Sequence, residues 1–198
     1  MSTAPELERD ACYLMTATLG YAILAVLART PSTGYQLAAH LTAPVSYFWT
    51  ARHSQIHPQL QRLLADGLVA FQSLPGPGPK VKKVYTITPQ GLARLRSWVA
   101  EPPAEQPVRD ELVLKTYAAW VADHDQLVAL LGPQLAAHQE RLARYQANLA
   151  SLAARFGGRP PPNTPEFGSY ATLRCGISYE RHRIGWCEWM IEQLQSPE

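Results

Sequence analysis

The chain has 198 residues, 46% hydrophobic and 17% charged, long and apolar enough to bury a core unaided, which excludes wholesale disorder. No apolar stretch approaches the roughly 20 residues of a bilayer crossing, Met1 to Glu6 lacks a secretory signal's basic start, and Cys12, Cys175 and Cys187 form no disulfide framework, so a cytoplasmic protein is expected. The net charge of +2 hides an asymmetry, +5 over residues 1–100 and −3 over residues 101–198, which points to a polyanion meeting one end only.

In chain order, Leu19, Ile23, Val26 and Leu27 share one face of a helix over Leu19 to Ala28. Ser32-Thr33 offers a cap for a second short helix, Gly34 to Leu41. A third runs from Ser54 to Asp66, burying Ile56, Leu60, Leu63 and Leu64; Pro58 is tolerable only near its first turn, and Gly67 is a left-handed stop. Leu68 to Leu74 and Lys80 to Ile87 read as two strands around the breaker Pro75-Gly-Pro-Gly-Pro79. Thr88-Pro89 caps a helix from Gln90 to Val99, and the Pro-rich stretch 101–107 is a stiff connector between domains at 1–100 and 108–198.

The second half reads as helices over Arg109 to Leu131, over Pro133 to Phe156, and through the segment after the Pro-rich loop 157–165. Leu135, Leu142, Leu149 and Leu152, with His138, Tyr145 and Phe156, alternate at spacings of three and four. Leu173, Ile177, Ile184, Ile191 and Leu194, with Glu180 and Cys187, repeat the pattern. Helices this long, Trp186 among them, are expected to meet a second copy of the chain. The class is mainly α (α+β).

Three helices and a hairpin make the layout of a winged helix-turn-helix, whose third helix enters the major groove while the hairpin reaches the backbone. Arg52, His53, Ser54, Gln55, His57, Gln59 and Arg62 lie on or just before that helix, and Lys80, Lys82 and Lys83 load the second strand. Gln and His can hydrogen-bond base edges, and Arg and Lys can reach phosphates or guanine. Between Ser46 and Arg96 there are seven basic residues and one acid, so the expected partner is double-stranded DNA.

The stretches Leu19 to Leu27, Thr33-Gly-Tyr-Gln-Leu37, Ser54 to Leu60, Leu63 to Val69 and Val84-Tyr-Thr-Ile-Thr-Pro-Gln-Gly91 resemble, in order and spacing, the PadR family of bacterial transcription regulators. Tyr35 joins the DNA-contact set with the second of these motifs. His57 stands where the family usually has Tyr, a departure that bears on operator choice. The second half resembles the longer PadR subgroup, whose helical tail is shared with virulence-gene activators. The resemblance implies a homodimer on a palindromic operator, usually repressing neighbouring genes, with some members released by a small aromatic ligand.

Competing readings are weaker. His53 and His57 have a metal-binding spacing but no local Cys or carboxylate partner, so no metal is expected. Cys187 falls on an apolar stripe, as a core residue would. Trp98, Tyr117, Trp120 and Trp186, with Trp189 and Tyr170, are either core and seam residues or the frame of a pocket for a flat effector. No phosphate loop, nucleophile elbow or ligand cluster points to an enzyme, and no cofactor is expected. The contrasting class is a winged helix that binds protein and never touches DNA.

Overall fold

Leu19, Ile23, Leu24, Val26 and Leu27 recur at helical spacing and are all buried, on a helix α1 described over 18–27. The computed structural model describes residues 18–42, 53–75, 81–104 and 109–196, and the chain divides into two units, Met1–Ala104 and Glu105–Glu198. In the first, α1 is followed by β1 (Ser32–Thr33), α2 (Gly34–Thr42), α3 (His53–Ala65), β2 (Val69–Pro75), β3 (Val81–Ile87) and α4 (Pro89–Ala100). Leu37 and Leu41 of α2, Ile56, Leu60 and Leu63 of α3, and Val69, Tyr85 and Leu95 complete its core.

Ser32 and Thr33 do more than cap a helix. They pair antiparallel with Tyr85 and Val84, so the sheet has three strands in the order β1-β3-β2 rather than the two of a bare hairpin. Thr33 caps as well: its Oγ1 accepts from the Gln36 N–H at 3.2 Å, and Gln36 Oε1 accepts from the Thr33 N–H at 2.9 Å. This reciprocal capping box satisfies two backbone donors at the start of α2.

Pro58 stands sixth in α3, beyond the first turn to which the sequence confines it. Its missing N–H leaves the Ser54 carbonyl without a helical partner, but Ser54 and Pro58 are exposed, so the carbonyl is open to solvent. The helix ends at Gly67, φ 68°, where the Gly67 N–H donates to the Leu64 carbonyl at 3.0 Å and the Leu68 N–H to that of Leu63 at 2.9 Å. Thr88 then ties three elements together. Its N–H donates to the Leu68 carbonyl at 3.1 Å, its Oγ1 donates to the Gly67 carbonyl at 2.8 Å, and the same Oγ1 accepts from the Gly91 N–H at 3.0 Å.

In the second unit both expected boundaries move. It contains α5 (Glu111–Tyr117), a 3₁₀ turn (Ala119–Val121), α6 (His124–Phe156) and α7 (Pro165–Gln195). The helix expected over Arg109 to Leu131 breaks before Asp123, whose Oδ1 caps α6 by accepting from the N–H groups of Asp125 and Gln126 at 2.8 and 3.3 Å. The expected start at Pro133 is no start, because Pro133 lies on the exposed side inside α6. Leu127 and Leu131 before it and His138 and Tyr145 after it stay buried in phase, and burying one continuous stripe outweighs one lost backbone bond. At 33 residues α6 is about 50 Å long. Gly157, φ 65°, ends it, and Thr164 caps α7 with Pro165 in the first position. The two long helices lie along one another.

A Cβ on Gly91 would stand 2.0 Å from the Leu68 carbonyl oxygen, whereas one on Gly132 meets nothing within 4 Å. Gly91→Ala is therefore expected to lower stability by about 3 kcal/mol, and Gly132→Ala to raise it by about 0.5–1 kcal/mol. The midpoint of urea unfolding for each variant checks both signs.

Candidate nucleic-acid interface

Core-facing Ile56, Leu60 and Leu63 turn one side of α3 inward and leave Ser54, Gln55, His57, Gln61 and Arg62 on the exposed side. Tyr35, 80% exposed at the second position of α2, stands beside this face. Tyr35, His57 and Lys83 line one cleft of about 340 Å³, floored by Ile56, Leu60 and Tyr85. Three elements thus bring a phenol, an imidazole and an ammonium to a single surface. Burial pushes the Tyr85 phenol above its ordinary range, so it stays neutral beneath them.

Strand alternation separates the two described lysines of the wing. Lys83 shares a face with Tyr85, and its Nζ lies 4.3 Å over the Phe71 ring; Lys82 projects from the opposite face. Both are exposed. Arg52, Lys80 and the side chain of His53 lie outside the described residues.

Gln59 is a correction. It is 8% exposed and faces inward, and a Cβ on Gly20 would lie 2.7 Å from its Nε2. Only the missing side chain of Gly20 admits the amide there, so Gln59 cannot reach a ligand on the outer face. Its Oε1 is enclosed with no hydrogen-bond partner among the described residues. The exposed glutamine that the sequence reading passes over is Gln61, on the same side of α3 as Ser54 and Arg62.

In the second unit, Leu173 and Ile177 are buried within the chain, correcting their assignment to a seam between copies. Leu135, Leu142, Leu149, Leu152, Ile184, Trp186, Ile191 and Leu194 remain half-buried. Leu135 and Ile191 line an open, largely apolar groove. Trp98 belongs to the first unit, stacked on Tyr21 with ring centroids 4.5 Å apart, while Tyr117 and Trp120 are each 85% exposed. Trp186 lies beneath the Arg183 guanidinium, 4.9 Å from it. Burial raises the Cys187 thiol above its ordinary range, partly offset by Arg183, and keeps it protonated.

Two polar residues on the apolar stripes meet across 42 positions of sequence. His138 Nδ1 and Glu180 Oε2 are 2.5 Å apart and buried, and Arg141 Nε donates to Glu180 Oε1 at 3.0 Å. One turn further along α7, Arg183 donates to Asp110 Oδ2 at 2.7 Å. The signal for this cluster is present in the sequence: a histidine and a glutamate each interrupt a run of apolar positions.

Residues 23–97 match the model of the transcriptional regulator PadR-like family, and residues 108–195 match the virulence activator alpha C-terminal domain. The negative transcriptional regulator PadR of Bacillus subtilis is 29% identical over 178 residues, 89% of this chain and 97% of that protein. The chain belongs to the PadR family of transcriptional regulators. The B. subtilis PadR structure in complex with operator DNA has a TM-score of 0.79 at 28% identity, covering 90% of this chain and 99% of that one. The same regulator with p-coumaric acid has a TM-score of 0.72 at 27% identity, covering 92% and 98%.

Within this PadR-family chain, the buried amide of Gln59 is a stability defect rather than part of the outer face. Gln59→Met keeps the volume and removes the unpaired oxygen, so thermal unfolding is expected to shift upward by the equivalent of about 1 kcal/mol. A drop of that size would mean the amide has a partner.

Proposed function

We propose that the protein is a homodimeric transcriptional repressor, acting in the cytoplasm, that holds a palindromic operator until a small aromatic acid releases it. The observation that carries this reading is the exposed face of α3, flanked by Tyr35 and Lys83, in a chain matching over 90% of its length a relative solved on operator DNA. In this reading Gln55, His57 and Gln61 address base edges in the major groove. Arg62, Lys82, Lys83 and Tyr35 hold phosphates, with Ser54 at the start of the helix. His57 can donate from either nitrogen when protonated and accept when neutral. Arg52, His53 and Lys80 belong to the same proposed surface by their place in the sequence.

A two-fold dimer sets its two reading helices about 34–36 Å apart, one turn of DNA, which matches an inverted repeat. The half-buried apolar side chains of α6 and α7 support a second copy of the chain as the partner that covers them. The release step is supported by the relative that binds p-coumaric acid.

The decisive experiment is fluorescence anisotropy with duplex DNA from immediately upstream of the gene. Affinity is expected to fall about a thousandfold or more between 50 and 200 mM salt, as for a protein contacting several phosphates. Lys82→Ala with Lys83→Ala is expected to weaken all sequences alike, and Gln55→Ala to change the preference between operator variants by about five- to a hundredfold. A protein indifferent to every duplex would instead be a winged helix that binds protein.

Leu135→Glu with Ile191→Glu tests the assembly, because both residues line the open groove rather than the buried seam of α6 and α7. The wild type is expected to scatter light as twice the 22.0 kDa chain, and the double variant as a single chain with operator affinity lost. A wild type that is monomeric at micromolar concentration overturns the dimer.

A further inference from the structure

The face of the β2–β3 hairpin that carries Val69 and Tyr85 is core at its base, where both are buried. Strand alternation continues that face outward, beyond the core, through Phe71 on β2 and Lys83 on β3. Phe71 stands opposite Tyr85 and diagonal to Lys83, its ring centroid 5.9 Å from that of Tyr85 and tilted by 50°. It remains 40% exposed, an open position for so large an apolar ring. What the ring holds is the Lys83 ammonium, 4.3 Å from its centroid.

No carboxylate among the described residues holds Lys83 instead, since their ion pairs all lie in the C-terminal unit. The difference matters for a cation that must meet an anion. A lysine loses the freedom of a long, flexible stem when a ligand fixes it, and a contact that fixes it beforehand removes that cost. An aromatic face attracts a cation without neutralising it, so the charge stays available on its outer side. A carboxylate in the same place would order the lysine and cancel its charge.

The same lysine lines the cleft with Tyr35 and His57. Lys83 is thus bracketed between a ring of β2 and the exposed groups of α2 and α3. Lys82, one residue earlier, projects from the opposite face of the strand, away from both rings.

We propose that Phe71 is a positioning residue for operator binding: its ring fixes the Lys83 ammonium at the cleft, so that a DNA phosphate meets a cation already in place. The consequence for DNA rests on the repressor reading above; the contact between ring and ammonium in the free protein does not.

Two measurements on the full-length protein test this. The chain has four lysines, Lys80, Lys82, Lys83 and Lys115, so lysine-selective carbon-13 labelling gives four ε-methylene signals, with Lys83 assigned through Lys83→Arg. In the free protein the ring current is expected to set the Lys83 signal upfield of the other three, and Phe71→Leu to return it to them. Operator affinity, read by fluorescence anisotropy, is expected to fall in Phe71→Leu by about two- to fivefold at each wing, the worth of an exposed cation–π contact. A dimer with two wings on one operator then loses about four- to twenty-fivefold. Phe71→Tyr keeps a ring and is expected to bind as the wild type does. In a Lys83→Ala background Phe71→Leu is expected to change nothing further, whereas a ring that merely supported the wing would lower affinity there too. An unshifted Lys83 signal, wild-type affinity in Phe71→Leu, a loss in Phe71→Tyr as large as in Phe71→Leu, or an equal loss with and without Lys83 overturns the proposal. A shifted signal in a protein that ignores every duplex supports the contact and overturns the repressor reading on which its role depends.

Discussion

The carbonyl of Leu68 is the point from which the N-terminal unit is hung. It accepts the Thr88 N–H, it sits against the bare Cα of Gly91, and it lies one residue beyond the glycine that stops α3. A helix, a strand and a second helix converge on one peptide. Any side chain at Gly91 would drive α4 off that peptide and with it Thr88, which caps α4 while holding the Gly67 carbonyl. α3 and the β2–β3 hairpin keep their relation because the turn between them has no slack: Gly67 takes the left-handed conformation, and the next residue but one begins β2. A DNA reader needs such stiffness, since side chains displaced by an ångström no longer meet base edges.

Much of this unit was legible in the sequence because its determinants are local. Ile56, Leu60 and Leu63 set the phase of α3, Gly67 its end, and Thr88-Pro89 the start of α4, each within one turn of the residue it governs. β1 was not legible, since a two-residue strand carries no periodicity and exists only through pairing with Tyr85 and Val84, more than fifty positions away. Gln59 failed for a related reason. It lies at the edge of the apolar stripe, and what turns it inward is the space left by Gly20 on another helix.

In the tail, phase proved a better guide than composition. Gly132-Pro133 looks like a break, yet the stripe from Leu127 to Tyr145 runs through it without losing register, and the helix follows the stripe. The real break has the weaker-looking signal of one aspartate, Asp123, which accepts two backbone N–H groups where the preceding turn has already tightened to 3₁₀. Leu173 and Ile177 show the limit of a heptad. The repeat says that a helix face is covered, and it is silent on whether the cover comes from the same chain or from another.

Apolar repeats also leave sliding undecided, because α7 displaced by one heptad along α6 would still set Leu and Ile against Leu. The buried polar cluster removes that freedom. At any other alignment Glu180 would lie among apolar side chains without His138 and Arg141, at a cost of several kcal/mol. Fixing this pair fixes its neighbours, for Arg141 follows His138 and Arg183 follows Glu180 by three residues, one turn of helix in each case. The contact that sets the register of the tail therefore also sets both guanidiniums beside one another against α5. Changing His138, Arg141 or Glu180 would therefore disturb the alignment of α6 on α7 itself.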